Sequence, residues 1–243
     1  MGVLRINYQQ MDEIRREEPL GIGKEGSCYR IDNKDIIKLY HGFFRRSELY
    51  FSNLKDERIA FPIDIVYYEN TKLIVGYTMP FLRGNNLING FPINLNINTL
   101  KYAYIGLRDL INKYKDIYMD DMCLDNIFYN EIKSYFSLID TSRWYPKKDG
   151  YLDSICDANW ILIASLLINI DVNNNIIYED KLFKELYNLY RRYELEINKK
   201  ISGMKYDRFN IDGLFIEFLK FLETRTSEIK GYKVKKIEDL KLK

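Results

Sequence analysis

The chain has 243 residues, of which 47% are hydrophobic and 30% charged, a composition that excludes a disordered or fibrous protein. Its 37 Lys and Arg residues nearly balance 35 Asp and Glu residues, so the net charge of +2 does not favour nucleic acid or a membrane surface as a partner. One histidine, and three cysteines without CxxC spacing, disfavour His-rich metal sites and a disulfide framework.

The first twenty residues lack an apolar stretch long enough for a signal peptide. The longest apolar run, Trp160 to Ile168, is far shorter than the roughly 20 residues that span a bilayer. We therefore expect a cytoplasmic protein.

Residues 20 to 82 are predicted to form short strands with one helix. Gly21–Tyr29 and Asp35–Tyr40 are expected to pair as a hairpin around an Asp-Asn turn. Residues 43–54 suit a short helix. Ile63–Tyr68 and Lys72–Met79 are predicted as a further strand pair.

From residue 98 to residue 224 the pattern is mostly helical. Apolar residues recur at helical spacing over Leu100–Tyr118, whereas residues 119–145 are irregular and strand-like. Helices are predicted at 154–169, 180–201 and 212–224. The basic tail, Lys230 to Lys243, is expected to be a solvated end or a short surface helix.

The first motif is a GxGxxG formed by Gly21, Gly23 and Gly26. A dinucleotide-binding fold would need a helix after these glycines, but residues 27–31 have strand character. Strand, glycines, strand is the arrangement of a loop that covers the phosphates of ATP with backbone N–H groups. A glycine turn without a ligand is the alternative.

The second feature is Lys38, in the strand Asp35–Tyr40. Strand geometry places Ile36, Lys38 and Tyr40 on one face and Ile37 and Leu39 on the other. A lysine between apolar neighbours on a central strand is costly unless its ammonium meets an anion. The alternative is an edge strand from which the lysine reaches solvent.

The third feature is Asp121 followed five positions later by Asn126, and then a predicted strand that ends at Asp140. With the glycines and Lys38 in the same order, this set resembles the protein-kinase-like superfamily. The closest types are divergent bacterial kinases related to the eukaryotic ones and kinases similar to aminoglycoside phosphotransferases. The matching elements span Gly21 to Asp140, about half of the chain.

The resemblance implies an α+β, two-lobe kinase-like fold, with a small antiparallel sheet and one helix in the N-lobe and a mainly helical C-lobe. It implies a single domain, with the N-lobe at about 1–82, the hinge at about 80–85 and the C-lobe at about 86–243. ATP and Mg²⁺ are the expected nucleotide and metal, and neither nucleic acid nor a membrane is an expected partner.

The resemblance also implies the roles of five residues. Asp121 would accept or orient the proton of the attacking hydroxyl, and Asn126 and Asp140 would hold Mg²⁺. Lys38 would pair with the α- and β-phosphates and be oriented by a glutamate on the 43–54 helix. Glu48 is the choice for that glutamate. Glu57, in a predicted loop, is the alternative.

Residues 76–84 resemble the last N-lobe strand and the hinge of the family. Met79 would lie at the gatekeeper position behind the adenine. The Pro80 carbonyl and the Leu82 N–H would hydrogen-bond the adenine, since proline keeps its acceptor. Cys28 would contact the adenine from above.

The chain departs from the family at several positions. Met119 and Asp120 replace His-Arg or His-Gly before Asp121, and Cys123 replaces the lysine common in Ser/Thr kinases. Asp157 resembles the helix-F aspartate that braces the catalytic loop, or is only the N-terminal acid of a buried helix. Only 16 residues separate it from Asp140, which disfavours control by an activation loop.

Two functions from different classes are therefore open. The first is an ATP- and Mg²⁺-dependent phosphotransferase, a kinase whose acceptor hydroxyl belongs to a protein Ser/Thr or to a small molecule. The second is a pseudokinase that serves as a nucleotide-binding or protein-interaction scaffold.

Overall fold

The computed structural model describes residues 2–42, 50–51, 53–87, 97–130, 132–170, 181–201 and 208–224. These residues form two compact units. The first comprises Met1–Arg83 and Leu138–Tyr145, and the second comprises Gly84–Ser137 and Pro146–Lys243. The second boundary falls between Ser137 and Leu138, so the segment that carries Asp140 packs with the N-terminal part of the chain. The lobe boundaries expected from the sequence stay a prediction.

The elements follow in this order: β1 (Gly2–Ile6), α1 (Tyr8–Arg16), β2 (Gly21–Ile22), β3 (Gly26–Arg30), β4 (Asp35–Tyr40), β5 (Asp64–Tyr68), β6 (Ile74–Pro80), β7 (Asn85–Asn86), α2 (Ile97–Lys113), β8 (Ile117–Tyr118), β9 (Ile127–Asn130), β10 (Tyr135–Leu138), a 3-10 turn (Thr141–Arg143), β11 (Tyr145–Pro146), α3 (Tyr151–Ile170), α4 (Lys181–Ile201) and α5 (Arg208–Thr224).

A six-stranded sheet forms the first unit, in the order β1-β5-β6-β4-β3-β2. All its pairs are antiparallel except β1 with β5, which run parallel. The predicted strands at 35–40, 63–68 and 72–79 are confirmed to within two residues at either end. The parallel edge strand β1 is an element that the sequence analysis did not predict.

The two faces of β4 belong to different apolar clusters, as strand alternation predicted. Ile36 and Tyr40 lie in one buried cluster, and Ile37 and Leu39 lie in the other. On the face of Ile37 and Leu39, Met11 and Ile14 of α1 contribute apolar cover. The other face of β4 is the one that carries Lys38.

Helix α1 begins with a capping box that the sequence analysis missed. The Asn7 side chain accepts the backbone N–H of Gln10, and the Gln10 side chain accepts the backbone N–H of Asn7. This exchange satisfies two donors that the helix itself leaves without partners. The Asn-x-x-Gln pattern is therefore a sequence signal that predicts where α1 begins.

Helices α2 to α5 dominate the second unit, and the predictions at 154–169, 180–201 and 212–224 are confirmed. Helix α2 ends at Lys113, not at Tyr118, because Ile117–Tyr118 form β8. A buried polar chain joins three of the helices: Tyr104 donates to Asn159, whose amide donates to the Tyr193 hydroxyl at 3.0 Å.

The predicted helix at 43–54 falls largely outside the described residues, as does the tail from Lys230 to Lys243. Among the helices that the structure describes, none has the length and apolar character needed to cross a bilayer. The architecture is α+β, with a sheet-rich N-terminal region and helices after it.

Candidate functional site

Lys38 lies on β4, which is an interior strand between β6 and β3. Its side chain is only 4% exposed, and its ammonium Nζ donates to Oδ1 of Asp140 at 2.6 Å. The alternative of an edge-strand lysine reaching solvent is therefore excluded. The ammonium thus contacts an anion, which offsets the free-energy cost of burying a charge among apolar side chains.

Asp140 is held beside Lys38 by the backbone that precedes it. The Leu138 N–H donates to the Arg58 carbonyl at 2.8 Å, and the Ala60 N–H donates to the Leu138 carbonyl at 2.9 Å. Ile139 packs against the same apolar cluster as Ile36. A short parallel bridge thus attaches the end of β10 to residues 58–60 of the sheet unit.

The backbone turns sharply at Asp140, whose φ of 54° and ψ of 66° lie in the left-handed region. The 3-10 turn follows, and the segment ends in the buried ring of Trp144. That ring packs edge-on against Phe61, with centroids 6.0 Å apart, and against Phe51 at 6.5 Å. These contacts hold the turn in place, and a left-handed non-glycine residue persists only where its surroundings determine it.

Opposing influences act on the carboxyl of Asp140. Burial raises its pKa, but the Lys38 ammonium and the hydrogen bonds from Ser142 outweigh burial, so the pKa lies below its usual value. Asp140 is therefore an anion at neutral pH. An ionised carboxylate is the form that binds a hard cation such as Mg²⁺.

The glycine segment adopts a tight turn between β2 and β3, in which the Gly23 N–H donates to the Gly26 carbonyl at 2.9 Å. Gly21 and Gly23 are exposed, whereas Gly26 is buried. A Cβ at Gly26 would stand 2.4 Å from the Leu39 carbonyl oxygen, so only glycine allows β3 to pair with β4 here.

Cys28 lies directly opposite Lys38 in the β3–β4 register. Burial raises the pKa of its thiol to about 11, although the neighbouring Lys38 acts to lower it. Cys28 also packs against the cluster that contains Met79 and Ile36. The structure therefore brings together four of the predicted site residues in the sheet unit: Cys28, Lys38, Met79 and Asp140.

The predicted hinge follows β6 without a break. Pro80 is the last residue of β6 and pairs with Asp35, while the Phe81 N–H donates to the Lys34 carbonyl at 2.6 Å. Leu82 and Phe81 are partly buried against the cluster of Met79. The adenine-binding roles of the Pro80 carbonyl and the Leu82 N–H stay predictions.

Glu48 lies outside the described residues, so its pairing with Lys38 stays a prediction. The alternative, Glu57, has an exposed side chain in a turn. Among the described residues, the carboxylate that Lys38 contacts is that of Asp140.

In the second unit, Asp121 and Asn126 lie in one loop between β8 and β9. The Asn126 amide Nδ2 donates to the backbone carbonyl of Asp121 at 2.9 Å, and its backbone N–H donates to the Cys123 carbonyl at 3.0 Å. Asp121 has a φ of 66° and an exposed side chain. Asn126 thus closes the loop and fixes the left-handed backbone of Asp121.

Helix α3 contacts the start of this loop through two side chains, of which the sequence analysis named one. Asp157, the predicted brace, accepts the hydroxyl of Tyr118 at 3.0 Å. The backbone N–H of Met119 donates to the hydroxyl of Ser154 at 2.9 Å. Ser154 was missed, although its position one helical turn before Asp157 places both on the same face of α3.

Asn126 and Asp140 offer the oxygen ligands that Mg²⁺ prefers. Within the described part of the chain, no three His, Cys, Asp or Glu side chains form a group that would hold a metal alone. Each of these side chains, taken by itself, has the chemistry to contribute one ligand to a Mg²⁺ ion that nucleotide phosphates and waters otherwise hold.

No family model matches the chain, and no curated protein matches its sequence. Its structure is similar to that of an apo pseudokinase, with a TM-score of 0.51, 8% sequence identity, and coverage of 95% of this chain and 98% of that one. The chain therefore has a protein-kinase-like fold. At this identity the likeness concerns the fold alone.

Proposed function

We propose that the protein is an ATP- and Mg²⁺-dependent phosphotransferase, which moves the γ-phosphoryl group of ATP to a hydroxyl acceptor. The observation that carries this proposal is the pair of Lys38 and Asp140, an ammonium and a carboxylate 2.6 Å apart on an apolar sheet. In a kinase-like fold, a lysine and an aspartate in these positions hold the phosphates and the metal of one nucleotide.

Charge balance supports this assignment. Without nucleotide, Lys38 and Asp140 neutralise each other. With Mg·ATP bound, Lys38 would pair with the α- and β-phosphates and Asp140 with the metal, so each side chain exchanges one partner of opposite charge for another. The buried ammonium would then be paired in both states, which avoids the cost of an isolated buried charge.

The loop of Asp121 would supply the remaining groups. Asp121 would orient the acceptor hydroxyl and take its proton, for which an exposed carboxylate on a fixed backbone is suited. Asn126 would add a second oxygen ligand. Mg²⁺ would neutralise the negative charge of the phosphates, and phosphoryl transfer needs little covalent help beyond this positioning.

A pseudokinase scaffold is the second candidate, and Cys123 favours it. Cys123 stands two residues after Asp121, where many kinases carry a lysine that stabilises the transferred group. Burial raises the pKa of its thiol, so Cys123 supplies no charge near neutral pH. The structural neighbour described above is itself named as a pseudokinase.

Calorimetric titration of ATP, with Mg²⁺ and with EDTA, tests nucleotide binding. We expect Mg²⁺-dependent binding that Lys38→Ala loses and that Lys72→Ala, at an exposed turn lysine, retains. A folded wild-type protein that binds no ATP would contradict both the enzyme and a nucleotide-binding scaffold.

Phosphoryl transfer separates the two candidates. Wild-type protein with labelled ATP and pools of hydroxyl acceptors, both protein and small-molecule, is compared with Asp121→Asn. Transfer that the variant loses, with ATP affinity retained, supports the enzyme. Binding of Mg·ATP without transfer to any acceptor or to water would favour the scaffold.

A further inference from the structure

Two side chains donate to the same oxygen of Asp140. The Lys38 ammonium lies 2.6 Å from Oδ1, and the hydroxyl Oγ of Ser142 lies 2.7 Å from it. A carboxylate oxygen accepts through two lone-pair sites, so these two donors fill Oδ1. A cation that binds Asp140 in this arrangement would use the other oxygen, Oδ2.

Ser142 has a second carboxylate within reach. Its Oγ lies 3.0 Å from Oε2 of Glu25, which belongs to the turn of the glycine segment. Ser142 is 1% exposed, so water does not readily replace either contact. A serine hydroxyl carries one proton, and ionised carboxylates only accept. Ser142 can therefore donate to Asp140 or to Glu25 at any moment, but not to both.

We propose that Ser142 is a positioning residue, which holds Asp140 so that Oδ2 receives Mg²⁺, and that Glu25 competes with Asp140 for the Ser142 proton. The inference rests on the proposed function, in which Asp140 is the metal ligand. When the proton points to Glu25, Asp140 keeps Lys38 and the backbone N–H of Ser142 but loses the Ser142 hydroxyl. When the Ser142 hydroxyl does not donate to Glu25, Ser142 and Lys38 together fix the plane of the Asp140 carboxylate.

The competition predicts effects of opposite sign for two substitutions. Ser142→Ala removes a hydrogen bond to a charged group, so the Mg²⁺ concentration needed for ATP binding should rise about tenfold. Glu25→Gln provides an amide that donates to Oγ of Ser142 and leaves the Ser142 proton to Asp140. This variant should need severalfold less Mg²⁺ than the wild type.

The double variant separates this competition from simple charge repulsion. If Glu25→Gln acted only by relieving repulsion of the phosphates, its effect would persist after Ser142→Ala. If it acts through Ser142, its effect disappears in that background, as expected for residues in one network.

The experiment is a calorimetric ATP titration at a series of Mg²⁺ concentrations and in EDTA, on the wild type, both single variants and the double variant. Ser137→Ala is the matched control, because Ser137 is a buried serine whose Oγ has no hydrogen-bond partner among the described residues. Metal-free ATP affinity should be equal in all five proteins, whereas a general structural effect would lower it.

Opposite shifts in the Mg²⁺ requirement, with no Glu25→Gln effect in the double variant, support the inference. Unchanged Mg²⁺ dependence in Ser142→Ala and Glu25→Gln, in a protein whose wild type binds Mg·ATP, would overturn the inference alone. A wild type without Mg²⁺-dependent ATP binding would overturn the proposed function together with it.

Discussion

At the scale of single residues, the burial of Lys38 and Asp140 is unequal. The Lys38 side chain is 4% exposed and the Asp140 side chain 31% exposed. Loss of one partner leaves the other charge behind, and a buried charge without a partner is costly. The burial of the residue that remains therefore decides how far each substitution lowers the free energy of unfolding.

We expect Asp140→Ala to lower the free energy of unfolding by about 3–5 kcal/mol, because it leaves the ammonium of Lys38 buried without its carboxylate. Lys38→Met should cost less, because Asp140 retains some contact with water. Urea denaturation measures both. The double variant Lys38→Met, Asp140→Ala should be more stable than Asp140→Ala alone, and a double variant less stable than either would contradict this account.

Cys28 is predicted to make stability depend on alkaline pH. Burial raises the pKa of its thiol from 9.0 to about 11, so the folded state keeps the proton that the unfolded state releases. The protonated Cys28 thiol therefore contributes to the free energy of unfolding in full below pH 9.0, and this contribution is lost as the pH rises toward about 11. Urea denaturation at pH 8 and at pH 10.5 should show a larger decrease for the wild type than for Cys28→Ala.

At the scale of elements, close backbone approach determines where β4 lies. β6 approaches it at Gly76, where a Cβ would stand 2.1 Å from the Lys38 carbonyl oxygen, and β3 approaches it at Gly26. Glycines on both neighbouring strands thus hold β4 in the interior of the sheet. The position of the Lys38 ammonium depends on them.

Gly76→Ala should therefore destabilise the sheet by roughly 1–3 kcal/mol or more, since β6 or β4 must move to admit a methyl group. Gly42→Ala is the control, because no atom of the described residues lies within 4 Å of a Cβ there. Thermal unfolding of the two variants is the comparison. Equal midpoints would show that the sheet absorbs the added methyl group at no cost.

At the scale of the whole molecule, the first unit contains a segment from much later in the sequence. Leu138–Tyr145 packs with Met1–Arg83, although more than fifty residues separate the two segments. Trp144 is an apolar anchor of this segment, through its contacts with the rings of Phe51 and Phe61. The sheet unit thus includes a segment that begins at the last residue of β10.

Trp144→Ala should lower the free energy of unfolding by about 3–5 kcal/mol, the usual cost of deleting a buried aromatic ring. Tyr145→Ala, at a neighbouring ring that is 41% exposed, should cost far less. Denaturation curves followed by circular dichroism test the difference. Equal stabilities would show that the ring of Trp144 does not anchor the segment.

Much of the candidate site was predictable from local sequence. Alternation of apolar residues predicted β4 and the two faces on which Lys38 and Ile37 lie. Glycine spacing and the strand after it predicted the turn at Gly23. The spacing of Asp121 and Asn126 predicted a shared loop. These features depend on neighbours within a few positions, which is why one sequence suffices to predict them.

The amino-acid sequence by itself thus determined β4 to β6, α3 to α5 and the types of group available for chemistry. Only the tertiary structure decided that Lys38 lies on an interior strand, that its partner is Asp140, and that Ser142 links Asp140 to Glu25. These pairs are more than one hundred residues apart, except for Ser142 with Asp140. Their contacts arise from sheet order and ring packing, which no local pattern of residues encodes.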